Sequence, residues 1–237
     1  MEATFGLGRL ADSEGLVKEA LVLAGYLAEP NTLQQATILA QSVMQQAKHR
    51  LHPRFIRALP DGERRALLEE CVRIQLIAAE VRMWSSRLPA AAHSLIDALN
   101  TAERHGSADM QSGGLAGMGF LLSLTPLVSL STSYHRRAER MLGQKVAPAS
   151  QIFALRALGT GYVGLGLRNE AMDTIKRAQA VATAVGDVYG ECYALNVLSW
   201  ALLRWGNYAE ARQVALTGLA GAQQMQNDLM AGLMHCV

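Results

Sequence analysis

The chain has 237 residues, half of them from the set AVILMFWYC and only 5% aromatic; that composition suits close-packed helices better than sheets, and a core of this size needs no disulfide or metal staple. The 22 Lys and Arg against 20 Asp and Glu leave a net charge of +2, which supplies no basic face for nucleic acid or an anionic membrane. The three cysteines, Cys71, Cys192 and Cys236, show no CxxC or Cys/His ligand spacing, so neither a disulfide framework nor a metal site is predicted and a reducing, cytoplasmic setting is expected.

The first residues lack a basic stretch followed by a long apolar run, so no signal peptide is read there. A divergent helical hairpin is predicted over 13–50, with a break at Glu29-Pro30-Asn31. A connector holding His52-Pro53 and Pro60-Asp61-Gly62 closes this first division, 1–62. Four hairpins then follow over 63–105, 108–143, 147–185 and 188–226, with Gly106, Gly143 and Gly186 at helix ends. Asn207 with Glu210 three residues later reads as a capping box. Residues 228–237 read as the start of another helix, cut short. The second division, 63–237, is therefore expected to be a segment of a longer array without a polar terminal cap.

The hairpins share a frame. Gly206-Asn207-Tyr208-Ala209-Glu210-Ala211 aligns with Gly166-Leu167-Arg168-Asn169-Glu170-Ala171 at an offset of 40 residues. In the same frame stand Ala79, Gly119, Gly159 and Ser199 in the first helices, and Ser86, Pro126, Gly166 and Gly206 in the turns. Ala91, Ser131, Ala171 and Ala211 come early in the second helices, and Ala98, Ala138, Ala178 and Gly218 late in them. Every one is small or a turn former. Two antiparallel helices can approach closely only where small side chains meet, and one hairpin cannot bury its apolar face alone. The expected fold is all-α: an α-solenoid of antiparallel helix hairpins of tetratricopeptide type, with a period of about 40 rather than 34 residues.

Several competing signals yield to this frame. Residues 110–134 carry no charge and are long enough to span a bilayer. They also hold four glycines and Pro126 and keep the repeat register, so a buried hairpin is expected and no membrane partner. Gly159-Thr160-Gly161-Tyr162-Val163-Gly164 matches GxGxxG, yet Gly159 sits in the first-helix frame and no strand precedes it, so it is read as helix and not as a dinucleotide site. No P-loop and no GxSxG elbow occur. His49 and His52 lie three apart without a sequence-adjacent acid or thiol, and no other histidine pairs at ligand spacing. The acidic pair Glu69-Glu70 and the basic run from His135 to Arg140 read as solvated helix faces, the latter with docking of an acidic partner as the alternative. No catalytic, cofactor or metal residue is assigned, and the chain is expected not to be an enzyme.

In tetratricopeptide geometry the first helices line a groove. Counted from the small positions, Arg73, Glu80, Trp84, Arg156, Tyr193, Asn196, Trp200 and Arg204 face it. Aromatic and Arg side chains are the usual interface anchors, so these eight are the candidate partner-binding residues; packing of the tryptophans between repeats is the competing reading.

Five stretches carry a resemblance to a known family: Leu51-His52-Pro53-Arg54-Phe55, the helix from Arg64 to Ala79, Thr125-Pro126-Leu127 leading to Tyr134-His135-Arg136-Arg137-Ala138, Gly186-Asp187, and Gly206 to Ala211. Together they resemble the helical repeat region of large bacterial ATPase-coupled class III adenylate/guanylate cyclases. The resemblance implies a regulatory or docking region of such a signalling protein, with a protein or peptide, or other domains of the parent chain, as partner. A stand-alone adaptor is the alternative. A helical-repeat RNA binder fits less well, because the near-neutral charge offers no basic stripe for phosphates.

Overall fold

In a computed structural model, residues 9–26, 31–52, 63–105 and 107–236 are described. Among them, all regular structure is helical: α1 (Leu10–Leu23), α2 (Thr32–Leu51), α3 (Glu63–Trp84), α4 (Leu88–His105), α5 (Ala108–Ser123), α6 (Val128–Leu142), α7 (Pro148–Gly164), α8 (Arg168–Val185), α9 (Val188–Arg204), α10 (Tyr208–Gln224) and α11 (Asp228–His235). The expected breaks at Glu29-Pro30 and at 53–62, and Gly106, lie outside the described residues.

The turn chemistry sets the boundaries. Ser86, Gly166 and Gly206 each adopt positive φ, at 58°, 74° and 79°. Beyond each, the next amide reaches back five residues, as Leu167 N–H does to Tyr162 O and Asn207 N–H to Leu202 O. This closure satisfies carbonyls that the helix end would leave open. Pro126 cannot enter the left-handed region, so the α5–α6 turn closes through the Thr125 hydroxyl, which donates to Leu122 O and accepts from Leu127 N–H. Gly186 ends α8 with φ 71°, whereas Gly143 remains right-handed at φ −70°. Asn207 makes no side-chain cap bond, contrary to the expected capping box. The capping box that does form joins Asn31 and Gln34 at the start of α2.

Helices pair as α3 with α4, α5 with α6, α7 with α8, and α9 with α10. All twelve helical positions of the 40-residue frame are buried. A Cβ on Gly119 would enter the ring of His135 on α6, and one on Gly159 would come within 2.8 Å of Ile175 on α8. Ser131 Oγ donates to Gly119 O at 2.7 Å, tying two frame positions across one crossing. Between pairs the packing is uneven. α4 meets α5 and α8 meets α9, but α5 meets α7 directly, because Gly161 leaves Phe120 Cα within 3.3 Å of where its Cβ would stand and Gly164 abuts Ser123.

The N-terminal helices differ from the expected hairpin over 13–50: α1 packs mainly on α3 and α2 on α4. Val17 and Leu21 of α1 cover Ala78 and Val81, while Asn100 on α4 donates to Ser42 O on α2. The charge-free stretch 110–134 is explained by α5, buried on nearly every side from Met110 to Gly119. Among the described residues no helix is long and apolar enough to cross a membrane.

Candidate interaction face

The first helices of successive pairs bring their side chains to one face. At its centre Arg156 of α7 ion-pairs with Glu80 of α3, and its guanidinium lies 3.8 Å from the ring centroid of Tyr193 and 4.9 Å from that of Tyr189, both on α9. The Tyr189 hydroxyl donates to the same Glu80 oxygen at 3.2 Å. Trp84 meets Tyr193 edge-on at 6.4 Å. Burial works against the Arg156 charge, but Glu80, Tyr189 and Tyr193 outweigh it, so its pKa is raised. Burial pushes both tyrosines up, with Glu80 adding to it and Arg156 opposing it. Three helices far apart in sequence are thus locked by one charge-assisted cluster.

Beside this cluster opens a cleft of about 340 Å³, lined by Met83 and Trp84, Phe120, Thr160, the α9 residues Tyr193, Asn196 and Trp200, and Leu233 with Cys236. Its walls are aromatic and apolar, with a few polar groups. The Trp84 indole N–H is buried with no hydrogen-bond partner.

Of the eight expected residues, Trp84, Tyr193, Asn196 and Trp200 line this cleft. Glu80 and Arg156 pair with each other in the adjoining space. Arg204 is exposed at the end of α9, its guanidinium 5.3 Å from the Trp200 ring centroid. Arg73 stands apart: it bonds Glu70 at 2.6 Å and lines a separate cleft of about 480 Å³ with Asp109, Ser150 and Phe153. Phe120 and Thr160 were not among the eight, although the frame contains the signal, since Glu80, Phe120, Thr160 and Trp200 stand 40 residues apart. Tyr189 also went unread, four residues before Tyr193 on the same helix face.

Other sequence readings change on folding. His135 is 0% exposed rather than part of a solvated basic face, with both ring nitrogens lacking partners and a pKa lowered to about 4 by burial. Arg137 of the same run ion-pairs with Glu103 at 2.6 Å. That carboxylate, 3% exposed, also receives His49 Nδ1 at 2.8 Å and Gln46 Nε2 at 2.9 Å, so the acid missing near His49 in sequence arrives from α4. Gly159 to Gly164 lie within α7. No group of three or more His, Cys, Asp or Glu placed to hold a metal occurs among the described residues.

Comparison of the chain with protein-family models, with curated proteins and with solved structures finds no match.

Proposed function

We propose that the chain is a non-catalytic interaction module, a solenoid of tetratricopeptide-like hairpins whose first-helix face receives a peptide segment of a protein partner or of a neighbouring domain. The observation that carries this reading is the cleft of about 340 Å³ in which Trp84, Tyr193, Asn196 and Trp200 converge. Aromatic anchors in a partly desolvated groove are what binding energy concentrates on. The Arg156–Glu80 cluster supports the reading by holding α3, α7 and α9 in fixed relation, so the groove is rigid before its occupant arrives. The resemblance to cyclase repeat regions supports a regulatory use, in which the occupant belongs to a signalling ATPase or nucleotide cyclase.

A photo-crosslinking residue at Asn196, in the cleft, is compared with one at Gln213, exposed on α10. The expected result is a discrete adduct from position 196 alone, reduced about tenfold by Trp200→Ala while helicity is retained. Equal adducts from both positions, or indifference to Trp200→Ala, reject the groove as the docking site.

A further inference from the structure

A second cavity shares no lining residue with the first-helix cleft and lies under the N-terminal helices. Where α1 covers α3 and α2 covers α4, a cleft of about 340 Å³ remains between them. At roughly 30 Å³ per water, this is room for about eleven waters or one small metabolite. Its floor is one face of α4, carrying Ala90, His93 and Asp97 at helical spacing. Gln75 and Arg82 enter from α3, Tyr26 from the end of α1, and Gln35, Gln41 and Ser42 from α2.

Two of these groups lack the partners that burial demands. Arg82 is 8% exposed. Its Nη1 donates to Ser94 Oγ and, at 3.5 Å, to Ala90 O. Among the described residues no carboxylate lies within ion-pair distance of it. Glu14, which acts on it through space, is already paired with Arg87. A buried guanidinium without an anion is costly. Gln75, 2% exposed, gives Nε2 to Asp97 Oδ2 at 3.4 Å but leaves Oε1 without a partner. Burial pushes the Tyr26 hydroxyl up, with Asp97 adding to it. One end of the cavity is therefore cationic without an anion, and the other anionic, with Gln75 Oε1 short of a donor. Ser94, which anchors Arg82, precedes Asp97 by three residues, a rise of about 4.5 Å. His93 stands between the ends and feels both charges, its pKa lowered chiefly by burial.

We infer that this cavity binds a small amino-carboxylate, its carboxylate on Arg82 and its ammonium on Asp97 and Gln75 Oε1. A simple anion would leave the Asp97 end unanswered and set like charges facing each other. A simple cation would do the same at Arg82. A zwitterion with its charges several bonds apart satisfies both ends at once.

The test is isothermal titration calorimetry of the full chain with L-lysine, γ-aminobutyrate and δ-aminovalerate, beside butyrate and n-butylamine. At least one amino-carboxylate is expected to bind with Kd of about 1 mM or tighter, with butyrate and n-butylamine at least about tenfold weaker. Asp97→Asn is expected to weaken the amino-carboxylate about tenfold without weakening butyrate, and Arg82→Gln to weaken both by about tenfold or more. The series on the unaltered chain decides even where a variant does not fold. Absence of binding by all three amino-carboxylates at about 10 mM, or butyrate binding as tightly as they do, overturns the assignment. So does Asp97→Asn leaving amino-carboxylate affinity unaltered. The cross-linking result at Asn196 bears on neither outcome, because the two cavities share no lining residue.

Discussion

Gly119, Gly159 and Gly218 occupy frame positions reserved for small side chains, and each is filled from across a helix crossing: by His135, by Ile175, and by Met234 with Leu195. At Gly119 the filler is an imidazole that Gly161 encloses from α7. Gly119→Ala is therefore expected to cost about 1–3 kcal/mol by overpacking, read as a shift in the urea midpoint. Adding His135→Ala should shrink that increment, since the clashing ring is gone. Gly166→Ala meets nothing in space but is held at φ 74°; it is expected to cost about 1–2 kcal/mol, and the His135 change should not alter it. His135 also sets a pH dependence. The unfolded chain takes up this proton near pH 6.5 and the folded chain near 4. The stability contributed by the neutral buried ring is complete above the unfolded value and is lost as pH falls towards 4, roughly 3 kcal/mol across the window. Comparing urea melts at pH 7 and 4.5, the wild type should lose more stability than His135→Gln; equal losses would show that the ring is protonated in the fold. The smallness of position 119 was legible in the frame. The identity of its filler was not, because it depends on which rotamer reaches over from α6.

Element boundaries in the second division followed from residues that can take left-handed φ, and Ser86, Gly166, Gly186 and Gly206 close helices where the sequence placed its turns. Caps were less legible. A cap needs its residue near extended backbone so that its side chain turns onto the first amides. Asn207, at φ −86° and ψ 58°, makes no such bond, whereas Asp187 Oδ1 accepts from Gly190 N–H at 2.9 Å. Asp187→Ala is expected to cost about 1 kcal/mol and Asn207→Ala markedly less, by thermal melts of the two variants. The Arg156–Glu80 contact, joining α3 to α7 past an intervening pair, was invisible as a pair although both residues were placed on one face. Its energetics follow from burial. Arg156→Met leaves Glu80 buried beside Tyr189 without its cation, which is expected to cost about 3–5 kcal/mol. Combining it with Glu80→Met should recover much of that loss. A double variant no better than the sum of the singles would mean that the two side chains act independently.

For the whole molecule, the 40-residue frame is uniform but the packing between pairs is not, since α5 meets α7 directly. The glycines that keep the frame on α5 and α7 are joined by Gly161 and Gly164, which lie outside it and draw the two helices together. That closeness lets α3 and α9 share one cleft across two intervening pairs. The N-terminal division was the least legible part, because helix signals over 13–50 say nothing about which helix each will cover. In the fold α1 and α2 each lean on a different member of the α3–α4 pair, with Val17 and Leu21 forming a small cluster of their own on Ala78 and Val81. Elements held along one edge open at lower free energy than those enclosed on several sides. Native-state hydrogen exchange is expected to show α1 and α2 less protected than α7 and α9. Leu21→Ala sharpens the test: loss of a fully buried leucine costs about 2–5 kcal/mol, and where elements open locally that cost falls on the element that carries it. Exchange in α1 should accelerate while α7 and α9 keep their protection. Acceleration spread evenly over every helix would instead mean that α1 and α2 unfold with α3 to α11 as one cooperative unit.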